Sequence, residues 1–153
     1  MSQHRLLLPL AAALLVAVFG CSPSSTPTDP KSTVIAMFGA MEKDDKATLA
    51  HLLDLAELMR NYQEDYALQT DSPRVFTSPE QILDDLTGDG LTKRRWFAMQ
   101  RIISEVNILG ESATVDVTFV DKEQSRGYRT TFGVHMVNGR WKIYSFKTIQ
   151  GDG

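Results

Sequence analysis

An almost unbroken apolar run, Leu6–Phe19, follows the polar residues His4 and Arg5, and the chain turns abruptly to Ser, Pro and Thr after Cys21. From Asp29 onward apolar residues return at helical spacing. Val34, Ile35, Met37, Phe38 and Met41 recur every three or four positions, which predicts a helix. Asp29 is placed to cap it, and Pro30 falls in its first turn, where a missing N–H costs nothing. Asp44-Asp45 interrupts the pattern. Asp45 then caps a second helix with Leu49, Leu52, Leu53, Ala56 and Met59 along one side. Tyr62 and Tyr66 continue that stripe, so the helix either runs past Arg60 or breaks and resumes. Thr70–Pro73 reads as a turn and Arg74–Thr77 as a short strand. At Ser78-Pro79-Glu80-Gln81 a third helix starts: Ser78 caps, Pro79 is the first helical residue, and Gln81 stands where a capping box wants Glu or Gln. Ile82, Leu83 and Leu86 form its inner face, and Gly88-Asp89-Gly90 ends it.

Past Gly90 the period changes from helical to two, and four strands are predicted at Met99–Leu109, Ser112–Asp121, Tyr128–Val137 and Arg140–Ile149. A two-residue turn at Gly110-Glu111 pairs Ile108 with Ala113, Val106 with Val115, Ser104 with Val117 and Ile102 with Phe119. Asn138-Gly139 is the strongest hairpin signal in the chain. It sets Met136 against Trp141 and Val134 against Ile143 on the inner face, with His135 against Lys142 and Gly133 against Tyr144 on the outer one. The inner face is then apolar but for Ser104 and Ser145. The predicted class is α+β: N-terminal helices packed on a curved four-stranded antiparallel sheet.

The opening apolar run is 14 residues long, short of the ~20 a helix needs to cross hydrocarbon. A charged start, a core of that length and a small residue before the break describe an export signal that is removed. Cys21 is the only cysteine of the chain, so it has no disulfide partner within it. Val18, Gly20 and Cys21 resemble the lipobox of bacterial lipoproteins, with Phe19 departing from it. The resemblance implies cleavage between Gly20 and Cys21 and acylation of the Cys21 thiol, with membrane lipid as the first partner of the mature protein. Several acyl chains at ~0.8 kcal/mol per methylene give stable attachment where one does not. Ser22 in place of the Asp that favours inner-membrane retention points to the periplasmic face of the outer membrane.

Residues 1–20 are therefore expected to be a signal peptide, 21–31 a lipidated tether and 32–150 one domain. The tether has three prolines and five hydroxyl residues in the ten positions Ser22–Lys31, and it reaches roughly 30 Å when extended. Loss of the signal removes Arg5 and no acid, which moves the net charge from −3 to −4. That mildly acidic balance argues against a nucleic-acid partner, which would call for a basic face.

Helices followed by a meander that ends in Trp-x-Ile resemble the nuclear-transport-factor-2-like, cystatin-like cone superfamily. The chain is more closely similar to small bacterial lipoproteins of unknown function whose domain belongs to that group. Val34–Leu53, with its Lys43-Asp44-Asp45 break, carries the resemblance together with Gly110–Val117 and Gly139–Ile143. The resemblance implies a cone-shaped cavity, where related isomerases and dehydratases place an Asp, His or Tyr. In this chain His51, Tyr62, Asp65 and Tyr66 would take that place.

Read from the residues alone, Tyr62 and Tyr66 continue the core stripe while His51 and Asp65 face water, so no catalytic residue is assigned. No cofactor is expected. Nor is a metal: His4, His51 and His135 are not spaced as ligands. The run Asp85-x-Thr87-x-Asp89-Gly90 is similar to a calcium loop, but its twelfth position is Trp96 instead of a bidentate Glu. Lys93-Arg94-Arg95, beside Trp96-Phe97, reads as a solvated helix-to-strand junction in preference to a site for anionic headgroups. His135, Tyr144 and Phe146 form an aromatic patch on the outer sheet face, a candidate interface for an envelope protein or a second copy. The function expected is a lipid-anchored envelope protein whose non-catalytic domain binds a small apolar ligand or an envelope protein. The alternative is a small cavity enzyme of the isomerase or dehydratase type, with His51, Asp65 or a tyrosine as acid or base.

Overall fold

The computed structural model describes residues 26–67 and 76–150, with side chains described over 26–61 and 76–146. The leader, Gly20, Cys21 and the Thr70–Pro73 turn lie outside the described residues.

Helix α1 spans Pro30–Glu42, and its start is a reciprocal cap: the Asp29 carboxylate accepts from Ser32 N–H, and Ser32 Oγ accepts from Asp29 N–H. Helix α2, Lys46–Leu52, is capped by Asp45, which accepts from both the backbone N–H and the hydroxyl of Thr48. Between them Asp44 adopts φ +56°, a left-handed turn that Asp tolerates through its short polar side chain. The leucine stripe does not run through. Leu53 is extended, and a new helix, α3, spans Leu55–Ala67 with Asp54 accepting from Glu57 N–H. Helix α4, Pro79–Asp85, starts at Ser78 as expected, but Ser78 makes no side-chain cap. Gln81 instead accepts from Thr77 N–H and hydroxyl, one residue further back.

Helix α5, Leu91–Phe97, corrects the reading of Lys93–Phe97 as a junction. Its cap comes from the preceding helix: Asp85 Oδ1 accepts from Leu91 N–H and Thr92 N–H, and Oδ2 accepts from the Thr92 hydroxyl. Seven residues are too few to show a helical period, and the apolar residue that pins the helix, Trp96, points into the core.

The sheet is a meander in the order β1-β2-β3-β4, with β1 Gln100–Leu109, β2 Ser112–Asp121, β3 Arg126–Val137 and β4 Arg140–Gln150, every pair antiparallel. Near the turns the register is as expected. Away from them two bulges change it. In β1 the shift between Ile103 and Val106 replaces the expected Ser104–Val117 and Ile102–Phe119 pairs with Ile103–Val117 and Arg101–Phe119. Ile102 thus leaves the inner face and stands 46% exposed, while Ile103 packs against the core. In the β3–β4 pair the shift sets Gly133 against Ser145 and Phe132 against Phe146. One extra residue in a strand reverses the face of all that follows.

The five helices among the described residues are drawn onto one sheet face by a core in which Val34, Met37, Met41, Leu49, Leu53, Leu58, Ile82, Leu86 and Trp96 meet Val115, Phe119, Phe132 and Ile143.

Candidate functional site

Among the described residues, the concave interior, the outer sheet face and a groove between α4 and α5 gather chemistry-bearing side chains. Among the described residues, the interior holds a cluster of rings. Phe38 of α1 meets Trp96, Phe119 and Phe132 edge-to-face at 5.8, 6.1 and 5.9 Å. Trp96 stacks on Phe119 at 5.3 Å and meets Phe132 and Phe146 edge-on at 5.5 and 5.6 Å. These are the offset and T-shaped arrangements that aromatic quadrupoles favour. Arg101 closes the β1 side: its guanidinium lies 4.0 Å from the Phe97 centroid and 5.4 Å from that of Phe38, and Nη1 donates to the Trp96 carbonyl. Asp85, the buried carboxylate among the described residues, is engaged as the cap of α5.

On the outer face Asp54 Oδ2 lies 2.9 Å from His135 Nε2, and the His135 ring sits 4.6 Å from that of Tyr144. An ionised carboxylate only accepts, so Nε2–H is the donor in this contact. Asp54 is held in place because its other oxygen caps α3. Tyr144 is held as well: its ring covers Gly133, and its carbonyl accepts from Asn61 Nδ2 at 3.0 Å. The cluster can orient an imidazole, but it stands over the sheet and away from the ring-filled interior.

Of the proposed interface residues, His135 and Tyr144 are therefore on the outer face and in contact, half-buried and already partnered. Phe146 is not with them. The bulge turns it inward, where it is 4% exposed and packs on Trp96 and Phe132. His51 is exposed in the last turn of α2. Tyr62, Asp65 and Tyr66 lie on α3, with side chains outside the described set. Asp54 drew no notice in the sequence, although Asp54-Leu55-Ala56-Glu57 has the spacing of a capping box and marks a helix start there.

A surface groove of 490 Å³ lies between α4 and α5, lined by Phe76, Gln81, Asp84, Asp89, Leu91 and Arg94 among others. Asp84 there is bound to Lys46, whose ammonium also reaches Glu80 at 3.2 Å. The hydrogen bonds that Lys46 donates to these two carboxylates, Asp84 foremost, raise its pKa above the ordinary value. Asp44, which accepts from Gly88 N–H and from Lys93 Nζ at 2.6 Å, ties the α1–α2 turn to the α4–α5 turn.

No protein-family model matches this chain, and no curated protein matches it. Solved structures do. A five-substitution variant of Rd1NTF2_05 superposes with a TM-score of 0.52 at 14% identity, over 76% of this chain and 92% of that one. The fold is the NTF2-like cone. A candidate dehydratase of the NTF2-like family from Streptomyces avermitilis matches at TM-score 0.49 and 18% identity, over 78% of this chain and 91% of its own. An NTF2-like protein of unknown function from Silicibacter pomeroyi matches at TM-score 0.46 and 14% identity, with the same coverage. Identities this low speak to the cone and leave its chemistry to the side chains.

Proposed function

We propose that this protein is a membrane-anchored envelope lipoprotein whose NTF2-like cone is a non-catalytic binding domain with a protein partner. The observation that carries the reading is the ring cluster. Where a cone enzyme of the isomerase or dehydratase type needs a substrate-sized space lined by an acid or base, Phe38, Trp96, Phe119, Phe132 and Phe146 touch one another. A small apolar ligand would have to displace these rings. Binding therefore falls to the surface, which suits a protein partner. The leader Leu6–Phe19 and the lone Cys21 support delivery to the envelope and attachment there through acyl chains.

Mass spectrometry of the N-terminal peptide, taken from the membrane fraction of bacterial cells making the protein, tests the anchor. A diacylated Cys21 with the leader removed is the expected product, and Cys21→Ala abolishes membrane retention. An intact leader or a bare Cys21 thiol in the wild type overturns the anchor. The binding half of the reading is tested separately, by xenon or small aromatic probes soaked into crystals: a probe seated among the five rings would restore the cavity-ligand reading.

A further inference from the structure

The groove between α4 and α5 carries two opposite charges that do not satisfy each other. Asp89 and Arg94 both line it and both are exposed. Among the described residues, neither side chain has an ion-pair or hydrogen-bond partner. The other acids of the groove are engaged. Asp84 holds Lys46, and Asp85 uses both oxygens to cap α5 through Leu91 N–H, Thr92 N–H and the Thr92 hydroxyl. Phe76 and Leu91 give the groove an apolar wall. Gln81 Oε1 accepts from Thr77, which leaves its amide N–H groups as donors.

The walls are fixed before a ligand arrives. Gly90 packs so tightly on α4 that a β-carbon there would collide with the main-chain carbonyls of Asp84 and Asp85. Its N–H donates to the Thr87 carbonyl at 2.9 Å, and Asp44 clasps the same turn through Gly88 N–H and Lys93 Nζ. A groove that is already formed binds without the cost of ordering its own loops.

We propose that this groove binds a small zwitterion, a free α-amino acid with an apolar side chain. Its ammonium meets Asp89, its carboxylate meets Arg94, and its side chain lies on Phe76 and Leu91. The pairing of charges selects this class. A purely cationic ligand leaves Arg94 unanswered and repelled, and a purely anionic one is repelled by Asp84, Asp85 and Asp89. A bare metal ion has no cage, since no three acid or histidine side chains among the described residues are placed to hold one. A chain end of another protein carries only one of the two charges. The first amides of α5 are already bonded to Asp85, so the ligand carboxylate turns to the guanidinium, whose planar fork matches it. The groove volume of 490 Å³ lies in the range of small-molecule sites and leaves room for the apolar side chain.

Titration of the full chain in a mild non-ionic detergent with leucine and with phenylalanine, followed through the amide NMR signals of Gly90 and Leu91, tests this. Both signals should shift saturably at millimolar ligand. N-acetyl-leucine lacks the ammonium and leucinamide lacks the carboxylate, and each should bind about fivefold more weakly than leucine. Asp89→Asn should weaken leucine about fivefold and leave N-acetyl-leucine unchanged, and Arg94→Gln should weaken leucine likewise and leave leucinamide unchanged. Both positions are exposed and unpartnered, so the variants keep the fold and its circular dichroism. The absence of saturable shifts with both amino acids overturns the proposal. So does leucine binding that persists undiminished in either variant. Leucinamide binding as tightly as leucine overturns it too, and would assign the groove to a basic side chain of a partner protein. The site is separate from the ring cluster and from Cys21, so its failure leaves the anchor and the protein-binding reading untouched.

Discussion

Tyr144 lies across Gly133 so closely that a β-carbon built on the glycine would stand 2.8 Å from the tyrosine Cζ and 3.1 Å from Ser145 Cβ. The ring cannot simply swing away, because it also rests against His135 at 4.6 Å. Gly133→Ala should therefore destabilise the domain by about 1–3 kcal/mol, the usual cost of overpacking. Gly127→Ala, in the same strand, meets only Thr118 Cγ2 at 4.0 Å and serves as the control. Thermal or urea unfolding of the two variants checks this, and equal losses would mean that the ring does not hold its position.

The bulge that puts Tyr144 outside puts Phe146 inside. Phe146→Ala removes a ring that touches Trp96 and Phe132 at 5.6 and 5.4 Å and should cost about 3–5 kcal/mol. An outer-face aromatic would cost far less. Trp96 fluorescence reports the same change, since its indole gains a cavity on one side.

Asp54 and His135 are 81 positions apart in the chain, and their pairing joins the α2–α3 break to β3. A double-mutant cycle of Asp54→Asn with His135→Gln isolates the pair, because Asn retains an acceptor for Glu57 N–H. The expected coupling is about 0.5–1 kcal/mol for a partly exposed pair. Activity against small carbonyl substrates should be absent in all four proteins of the cycle.

Asp44 has its carboxyl pKa held below the ordinary 3.8 by the Lys93 ammonium first and the Gly88 amide second. A carboxylate whose pKa is lowered on folding contributes stability above its unfolded value, and that contribution is lost as pH falls through the folded one. Asp29 and Asp45 are lowered too, mainly by the backbone N–H of Ser32 and the hydroxyl of Thr48 respectively. Thermal stability should therefore be flat at neutral pH and fall below about pH 4. Asp44→Asn tolerates the φ of +56° and should lower the midpoint at pH 6 while narrowing its fall between pH 6 and pH 3.

The helix starts at Asp29, Asp45 and Ser78 were legible because caps and N-terminal prolines act within a single turn of chain. The Asn138-Gly139 and Gly110-Glu111 turns were legible for the same reason, and each hairpin keeps the expected register near its turn. Helix α5 was not legible: its cap, Asp85, belongs to another helix, and its short length hides the period. The candidate site divides the same way. Alternation placed His135 and Tyr144 on one outer face, whereas the contact of Asp54 with His135 could not be read, since nothing local joins them.

By itself, the order of residues determined the α+β class, the helix starts, the meander and the pairing close to each turn, because these depend on backbone rules spanning a few residues. Only the tertiary structure decided which way the strands face beyond Ile103 and Val134, and so that Phe146 plugs the cone and Ile102 faces out. Alternation assigns faces only along an unbroken ladder. The bulges arise where a curved sheet must wrap its helices, a condition set by packing between distant segments. The same packing covers the β4 edge of the sheet with Leu53 and Asp54.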